Sequence, residues 1–123
     1  MTARRINVSS GSTFEADVGY SRAVRIGPMV VVAGTTAPGD DVETQTREAF
    51  RRIEIALAEA GAALSDVIRT RMYVTDIARW REVGAVHAEV FGAIAPVATM
   101  VEVSALIAAD LYVEIEVDAY VSP

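Results

Sequence analysis

The sequence contains no lysine and no cysteine, and it contains one histidine, His87. The missing lysine excludes a Schiff-base amine and an anchor for a pyridoxal cofactor. The missing cysteine excludes disulfides, thiolate nucleophiles, iron–sulfur clusters and cysteine-based zinc sites. One histidine also excludes a metal site that takes two histidines from one chain. Chemistry is therefore left to arginine, carboxylate and hydroxyl side chains and to the backbone.

Positive charge is also scarce. The 11 basic residues are all arginine, they stand against 17 acidic residues, and the formal net charge is −6. A nucleic-acid-binding protein ordinarily presents a basic face, so we expect no nucleic-acid partner. No apolar stretch approaches the ~20 residues that cross a bilayer, and residues 1–6 lead into no apolar run of the kind found in signal peptides. We therefore expect no membrane partner and a cytoplasmic location.

The length of 123 residues favours a single domain over 1–123. Composition and spacing predict strands at 20–26, 29–33, 67–74, 97–103 and 112–120, and helices at 42–60 and 77–91. The first helix has an apolar stripe at spacings of three and four residues, and the second follows Asp76, a residue type that caps helices. This order predicts an α+β domain with two helices on one face of a mixed sheet.

Side chains alternate between the two faces of a strand, so the pattern predicts which residues lie away from the helices. With the apolar sets under the helices, Ile68 and Thr99 lie on the helix side. The open face then gathers Arg69, Arg71, Tyr73, Ala98, Met100, Glu102, Glu114, Glu116 and Asp118. This face is either solvated, with ion pairs between strands, or it is an oligomer interface with a polar cleft. Met100 and Tyr73 among the charges favour the interface.

Several motifs resemble the RidA/YjgF family. The opening of that family is similar to residues 19–21 (GYS) and 29–34 (MVVVAG), and its first helix is similar to 44–46 (TQT) and 58–61 (AEAG). Its middle strand is similar to 66–70 (DVIRT) and 73–76 (YVTD). Its signature is similar to 96–103 (PVATMVEV), and its last strand to 113–116 (VEIE). The similarity runs from about Gly19 onward, in the same order and spacing.

The resemblance implies a chorismate-mutase-like fold and a homotrimer whose sites lie in three clefts between subunits. Typical members of the family hydrolyse reactive enamines and imines, such as 2-aminoacrylate, to a keto acid and ammonia. The resemblance therefore implies a small-molecule ligand, no cofactor and no metal. It also implies roles for two residues that match the family pattern. Tyr20 is the tyrosine of the opening motif, and Glu114 is the glutamate that helps to position the attacking water.

Three positions depart from the family pattern. The deaminases of the family have an arginine two residues after the signature proline, where it pairs with the substrate carboxylate, and this chain has Ala98 there. A serine of the opening strand is replaced by Ala33, and an asparagine of the second helix by Gly84. A bidentate arginine–carboxylate pair is strong and alanine cannot replace it. Either the substrate lacks that carboxylate, or another cation binds it.

Glu114 is the candidate catalytic residue, as a base acting on water. The alternative is that it is one more carboxylate in a charged row. Arg71 is the candidate for binding a substrate anion, because strand parity places it on the face of Glu114. The alternative for Arg71 is an ion pair with Glu102 or Glu116 inside the sheet or an interface.

The other substrate-binding candidates have weaker signals. Tyr20 is a candidate for lining the cleft with its ring and hydroxyl, or for a core or interface position. Ala98 and Met100 are interpreted as cleft wall. Thr99 is a candidate chiefly through its backbone, because parity places its side chain on the helix side. His87 lies on the apolar stripe of the second helix, so we interpret it as a packed residue.

Two functions remain open on the sequence. The first is a small hydrolase of an imine, an enamine or a related metabolite other than the usual short 2-imino acids. The second is a trimeric binding or regulatory module that keeps the cleft without catalysis, which the three departures favour. RNA cleavage is disfavoured by the acidic charge and by the lack of lysine.

Overall fold

A six-stranded mixed sheet carries two long helices on one face. The computed structural model describes residues 4–123. The strands are β1 (Arg5–Val8), β2 (Ala23–Ile26), β3 (Met29–Thr35), β4 (Val67–Val74), β5 (Val97–Glu102) and β6 (Val113–Tyr120). The α-helices are α1 (Thr13–Val18), α2 (Val42–Glu59) and α3 (Trp80–Phe91), and short 3-10 turns precede β4 (Leu64–Asp66) and α3 (Ile77–Arg79). The predicted α+β architecture is confirmed.

The strands follow the order β1-β2-β3-β6-β4-β5. β4 and β5 are parallel, and the other neighbouring strands are antiparallel. α2 connects β3 to β4, and α3 is the crossover between the parallel strands. Both helices bury their apolar stripes in one core with the inner residues of β6, and the fully buried side chains there include Phe50, Ile53, Leu57, Val83, Val86, Val113, Ile115 and Val117. Among residues 4–123, no helix combines the length and apolarity needed to cross a membrane.

The N-terminal elements differ from the prediction. The sequence pattern predicts no element before residue 20, whereas β1 pairs with β2 at the edge of the sheet and α1 forms one and a half turns. Ser12 caps α1 by accepting a hydrogen bond from the Phe14 amide, and Gly19 ends the helix at φ +86°. A helix of six residues is too short to show an apolar period. The strand predicted at 20–26 consequently begins only at Ala23.

Two assignments of residues to the sheet faces were wrong. β5 pairs in parallel with β4, with Arg71 opposite Thr99 and Thr70 opposite Ala98. Thr99 therefore lies on the open face, and Ala98, Met100 and Glu102 lie on the helix side. Ile68 does not share the face of Thr70, because a register shift between Val67 and Arg69 makes Ile68 the extra residue of a β-bulge. The apolar pattern misled on β5 because this edge strand leaves Val97 and Val101 59% and 42% exposed.

A buried glutamine ties the long loop 103–112 to the start of α2. Gln45 is fully buried and donates from Nε2 to the carbonyl oxygens of Gly39 at 3.0 Å and Asp110 at 2.8 Å. Its Oε1 accepts from the Tyr112 amide at 2.8 Å. All of its hydrogen-bonding partners are backbone groups of two loops, so Gln45 determines how these loops enter and leave the sheet next to β6.

Candidate functional site

A cleft of about 770 Å³ opens where β3 and β6 meet α1 and α2. Phe14, Val18, Ile55 and Ile107 provide apolar wall from α1, α2 and the loop 103–112. The charged side chains that line it are Arg22, Arg52, Glu59 and Glu114. A concave apolar site with a few convergent polar groups is the usual form of a small-molecule site. Tyr20 and Glu114, two of the sequence candidates, lie in it together.

Glu114 is the carboxylate of β6 that accepts no hydrogen bond from any residue in 4–123. Further along the same face, Glu116 accepts from the Tyr73 hydroxyl at 2.7 Å, and Asp118 accepts from Arg71 at 3.3 Å. Burial raises the pKa of Glu114 above its usual value, the charge of Glu116 raises it further, and Arg22 opposes the shift. A half-buried carboxyl with a raised pKa and no committed partner is suited to exchange protons with a bound molecule.

Gly34 makes the room that this carboxylate occupies. The β3–β6 register shifts between Val32 and Thr35, so the backbone of β3 bulges beside Glu114. A Cβ at Gly34 would lie 2.6 Å from Oε2 of Glu114, closer than any real contact of that kind. The absence of a side chain at Gly34 therefore lets Glu114 lie against β3 at the edge of the cleft.

Arg22 lies on the other side of Gly34 and is held by it. Its Nη1 and Nη2 both donate to the Gly34 carbonyl oxygen at 3.2 Å, and Nη1 donates also to Oγ1 of Thr35 at 2.7 Å. The guanidinium carbon lies 5.8 Å from the centre of the Tyr20 ring, within cation–π range. Arg22 and Glu114 therefore flank the same glycine, one through its carbonyl group and the other through its missing side chain.

The α1 wall is fastened by a buried carboxylate. Glu15 is 7% exposed and accepts hydrogen bonds from the Ser9 hydroxyl at 2.9 Å and from the amide and hydroxyl groups of Ser10. The Ser10 hydroxyl is the largest cause of the lowered pKa of Glu15. Because Ser9, Ser10 and Phe14 all line the cleft, Glu15 fixes the geometry of this wall.

The other charged side chains of the open face pair with each other. Arg71 contacts Asp118 at 3.3 Å and Glu116 at 3.6 Å, and Arg69 contacts Asp118 at 4.0 Å. The Tyr73–Glu116 hydrogen bond adds to this row, and that hydrogen bond is the first cause of the raised pKa of Tyr73. The ion pair with Glu116 that the sequence left open for Arg71 is therefore present.

The remaining sequence candidates do not line this cleft. Ala98, Thr99 and Met100 lie on β5, at the opposite edge of the sheet from β1, and Arg71 lies between them and β6. Sequence reasoning missed Arg22, whose only signal is its position two residues after Tyr20. His87 packs between Phe50 and Phe91, with ring centroids at 5.8 and 4.8 Å, and bonds Thr70 Oγ1 at 2.8 Å. Within residues 4–123, no group of three or more histidine and acidic side chains is placed to hold a metal ion.

The fold is an α+β domain with two helices on one face of a mixed sheet, and the cleft that contains Glu114 lies beside the central strand β6. These features define a small protein of chorismate-mutase-like architecture. The family model described as Endoribonuclease L-PSP matches residues 10–121. The chain belongs to this family, which is the RidA/YjgF family that its motifs resemble.

Similar proteins, one of them with a solved structure, support membership of this family. The crystal structure of Rv2704 from Mycobacterium tuberculosis, described as a member of the highly conserved YjgF/YER057c/UK114 family, is 72% identical, with a TM-score of 0.95 over 96% of this chain and 100% of that one. An uncharacterized protein of Streptomyces coelicolor is 39% identical over 98% of this chain and 96% of its own length. A 2-iminobutanoate/2-iminopropanoate deaminase of Salmonella typhimurium is 29% identical over 79% of this chain and 83% of its own.

Proposed function

We propose that this protein hydrolyses the C–N bond of a small, reactive imine or enamine in the cleft around Glu114. The observation that carries the proposal is the state of Glu114 itself: half-buried, raised in pKa and without a hydrogen-bond donor among residues 4–123. The deaminase names of relatives from Salmonella typhimurium and Arabidopsis thaliana agree with this chemistry.

The reaction needs one group that moves protons. Water adds to the carbon of the protonated imine while Glu114 accepts a proton from it, which gives a neutral carbinolamine. The same carboxyl returns that proton to the nitrogen; the C–N bond then breaks to release ammonia, and the hydroxyl proton of the carbinolamine passes back to Glu114, which leaves a carbonyl compound. A carboxyl whose pKa lies above the usual value serves both directions better than a fully ionised surface glutamate.

The substrate in this proposal is not one of the usual short 2-imino acids. Those substrates have their carboxylate bound by an arginine in the family's deaminases, and the matching residue here is Ala98, whose methyl group offers no charge. Thr99, which lies on the open face next to it, adds a hydroxyl and no charge, so this stretch of β5 offers no cation to a substrate carboxylate.

The working form in this proposal is a homotrimer, the assembly typical of the family. The edge strand β5 of a neighbouring copy would then close the cleft over Glu114, with Thr99 on its open face and Ala98 and Met100 on its other face, and Arg71 would lie in the interface. The exposed apolar residues Val97 and Val101 on the open face support such a contact. Light scattering of Val101→Arg should show a smaller assembly than the trimer of the parent, whereas Glu54→Arg on the exposed side of α2 should leave the trimer intact. An unchanged mass for Val101→Arg would count against the interface.

Ammonia release from enamines and imines generated in situ tests the chemistry. Glu114→Gln should lower the rate by at least about a hundredfold, in line with loss of a general base. Glu54→Gln, which removes an exposed carboxylate outside the cleft, should retain the parent rate. No release above buffer for any compound of the panel, or full activity in Glu114→Gln, would refute hydrolysis by this site.

The alternative is a trimeric module that binds a metabolite without turning it over. The observation that favours it is Ala98, which removes a charged group from the β5 wall. Thermal stabilisation by a small metabolite with no ammonia release would support this alternative. RNA cleavage, which the family description names, is not proposed, because the chain has a net charge of −6 and no lysine.

A further inference from the structure

Arg22 has a carboxylate-binding edge that no residue of 4–123 occupies. A guanidinium has two edges that can each make two parallel hydrogen bonds, one formed by Nη1 and Nη2 and the other by Nε and Nη2. In Arg22 the first edge holds the Gly34 carbonyl oxygen, and the remaining Nη1 hydrogen goes to Thr35. Among residues 4–123, the Nε–Nη2 edge donates to no acceptor on the Nε side, and no ion pair joins Arg22 to Glu114 within 4.0 Å.

The other arginines near the site are already engaged. Arg52 lines the same cleft, but its Nη1 donates to the Thr36 carbonyl oxygen and its Nε contacts Glu48 at 3.4 Å. Arg71 contacts two carboxylates of β6. Within the described part of the chain, Arg22 is therefore the cation of the cleft that is both fixed in place and free on the side that matches a carboxylate.

We propose that Arg22 binds the carboxylate of an anionic substrate and so replaces the arginine that is absent at Ala98. The inference rests on the proposed function and names the substrate class for it: a small imine or enamine that carries a carboxylate and is not one of the usual short 2-imino acids. Its anion is held from the Tyr20 side of the cleft, next to Gly34, rather than from β5. The reacting carbon then lies toward Glu114, which flanks the same glycine.

The position of Arg22 also explains why the two charged groups stay apart. The Gly34 carbonyl holds the guanidinium on one side of β3, while Glu114 fills the space that a side chain at position 34 would take on the other. An arginine and a carboxylate that collapsed onto each other would bind neither anion nor water. Both groups therefore remain available to one ligand: Arg22 can bind its carboxylate, and Glu114 can accept a proton from the water that attacks its imine carbon.

Binding of an unreactive pair of probes tests this assignment apart from catalysis. The probes are 4-oxopentanoate and its neutral amide, 4-oxopentanamide, and their dissociation constants are measured by calorimetry or NMR titration. The parent protein should bind the acid at least about tenfold more tightly than the amide, because the charged fork-to-carboxylate contact is lost in the amide. Arg22→Gln should abolish this preference, and Arg81→Gln, which removes an exposed arginine outside the cleft, should preserve it.

Arg22→Lys keeps the charge but cannot make the two parallel bonds, so it should retain only part of the preference for the acid. This variant decides the case if Arg22→Gln fails to fold, as judged by circular dichroism. Equal preference in the parent and Arg22→Lys, an intact preference in Arg22→Gln, or no preference in the parent would overturn the assignment. Failure of the proposed function is distinguishable, because ammonia release would then be absent while the preference for the carboxylate persists.

Discussion

Replacing Gln45 with leucine removes three hydrogen bonds from the buried end of the core. The lost contacts are those to the carbonyl oxygens of Gly39 and Asp110 and that from the Tyr112 amide, at 2.8–3.0 Å. Leucine has similar bulk, so the main effect is that three backbone groups are left without their partner. At about 1 kcal/mol for each bond, the expected loss in the free energy of unfolding is ~3 kcal/mol.

Urea unfolding followed by circular dichroism measures this loss. Stability of an oligomer depends on protein concentration, so variant and parent are compared at one concentration. The expected loss corresponds to a fall of about 10 °C in the melting temperature for a chain of this size. Hydrogen exchange gives a local readout, because amides in 103–112 should exchange faster once Asp110 and Tyr112 are released.

The matched control is Glu54→Leu. Glu54 is exposed on the same helix, so the exchange of a polar residue for leucine there should change stability by no more than about 0.5 kcal/mol. A loss below about 1 kcal/mol for Gln45→Leu, with unchanged exchange in 103–112, would refute the view that Gln45 holds the two loops.

Three further predictions concern Gly34, Glu15 and His87. Gly34→Ala should push the Glu114 carboxylate out toward solvent and bring its pKa back toward the usual value in carboxyl NMR titration. The control is Gly84→Ala, whose new Cβ would meet nothing closer than 3.9 Å and which should stabilise the protein by up to ~1 kcal/mol. An unchanged pKa of Glu114 in Gly34→Ala would contradict the first expectation. Glu15→Gln should lower stability by ~1 kcal/mol and speed hydrogen exchange in 9–19. In the parent the protection of these amides, taken relative to their intrinsic exchange rate at each pH, should fall as the pH drops below about 4.5, because the lowered pKa makes the contribution of Glu15 full above that value and lost as the folded carboxyl is protonated. Protection that changes neither in Glu15→Gln nor with pH would contradict this role. Burial lowers the pKa of His87, so the stability of the fold is unaffected by the titration of this residue above about pH 6.5 and decreases as the pH drops below this value. His87→Gln should make the free energy of unfolding, measured by urea titration, less dependent on pH in this range. Equal pH dependence in the two proteins would refute the view that His87 is buried in its neutral form.

The sequence predicted the central strand better than the edge. β6 pairs on both sides and one of its faces is fully buried, so the alternation of Ile115 and Val117 with Glu114 and Glu116 matches the structure. β5 has one neighbouring strand, and its exposed Val97 and Val101 give the same apolar alternation as a strand that buries these residues. The pairing with β4, rather than the apolar pattern, decides the faces of β5, and a pairing register is not readable from one strand alone.

The residues of the candidate site could be predicted where a family motif contains them, and could not be predicted where a backbone group positions them. Glu114 and Tyr20 could be named from the family motifs, and they lie together in the cleft. The place of Arg22 is set by the carbonyl oxygen of Gly34, twelve residues away. Every residue has a carbonyl oxygen, so no side-chain type in the sequence marks such a partner.

The position of β6 in the sheet has a consequence for folding. The strand nearest the C-terminal end of the sequence lies between β3 and β4, so the three N-terminal strands and the β4–β5 pair have no direct pairing with each other. Until residues 113–120 are in place, each half presents an open edge that can pair with another chain. Since the same residues carry Glu114, the cleft acquires its carboxylate in the step that joins the two halves, and a partly folded chain has neither a continuous sheet nor a complete cleft.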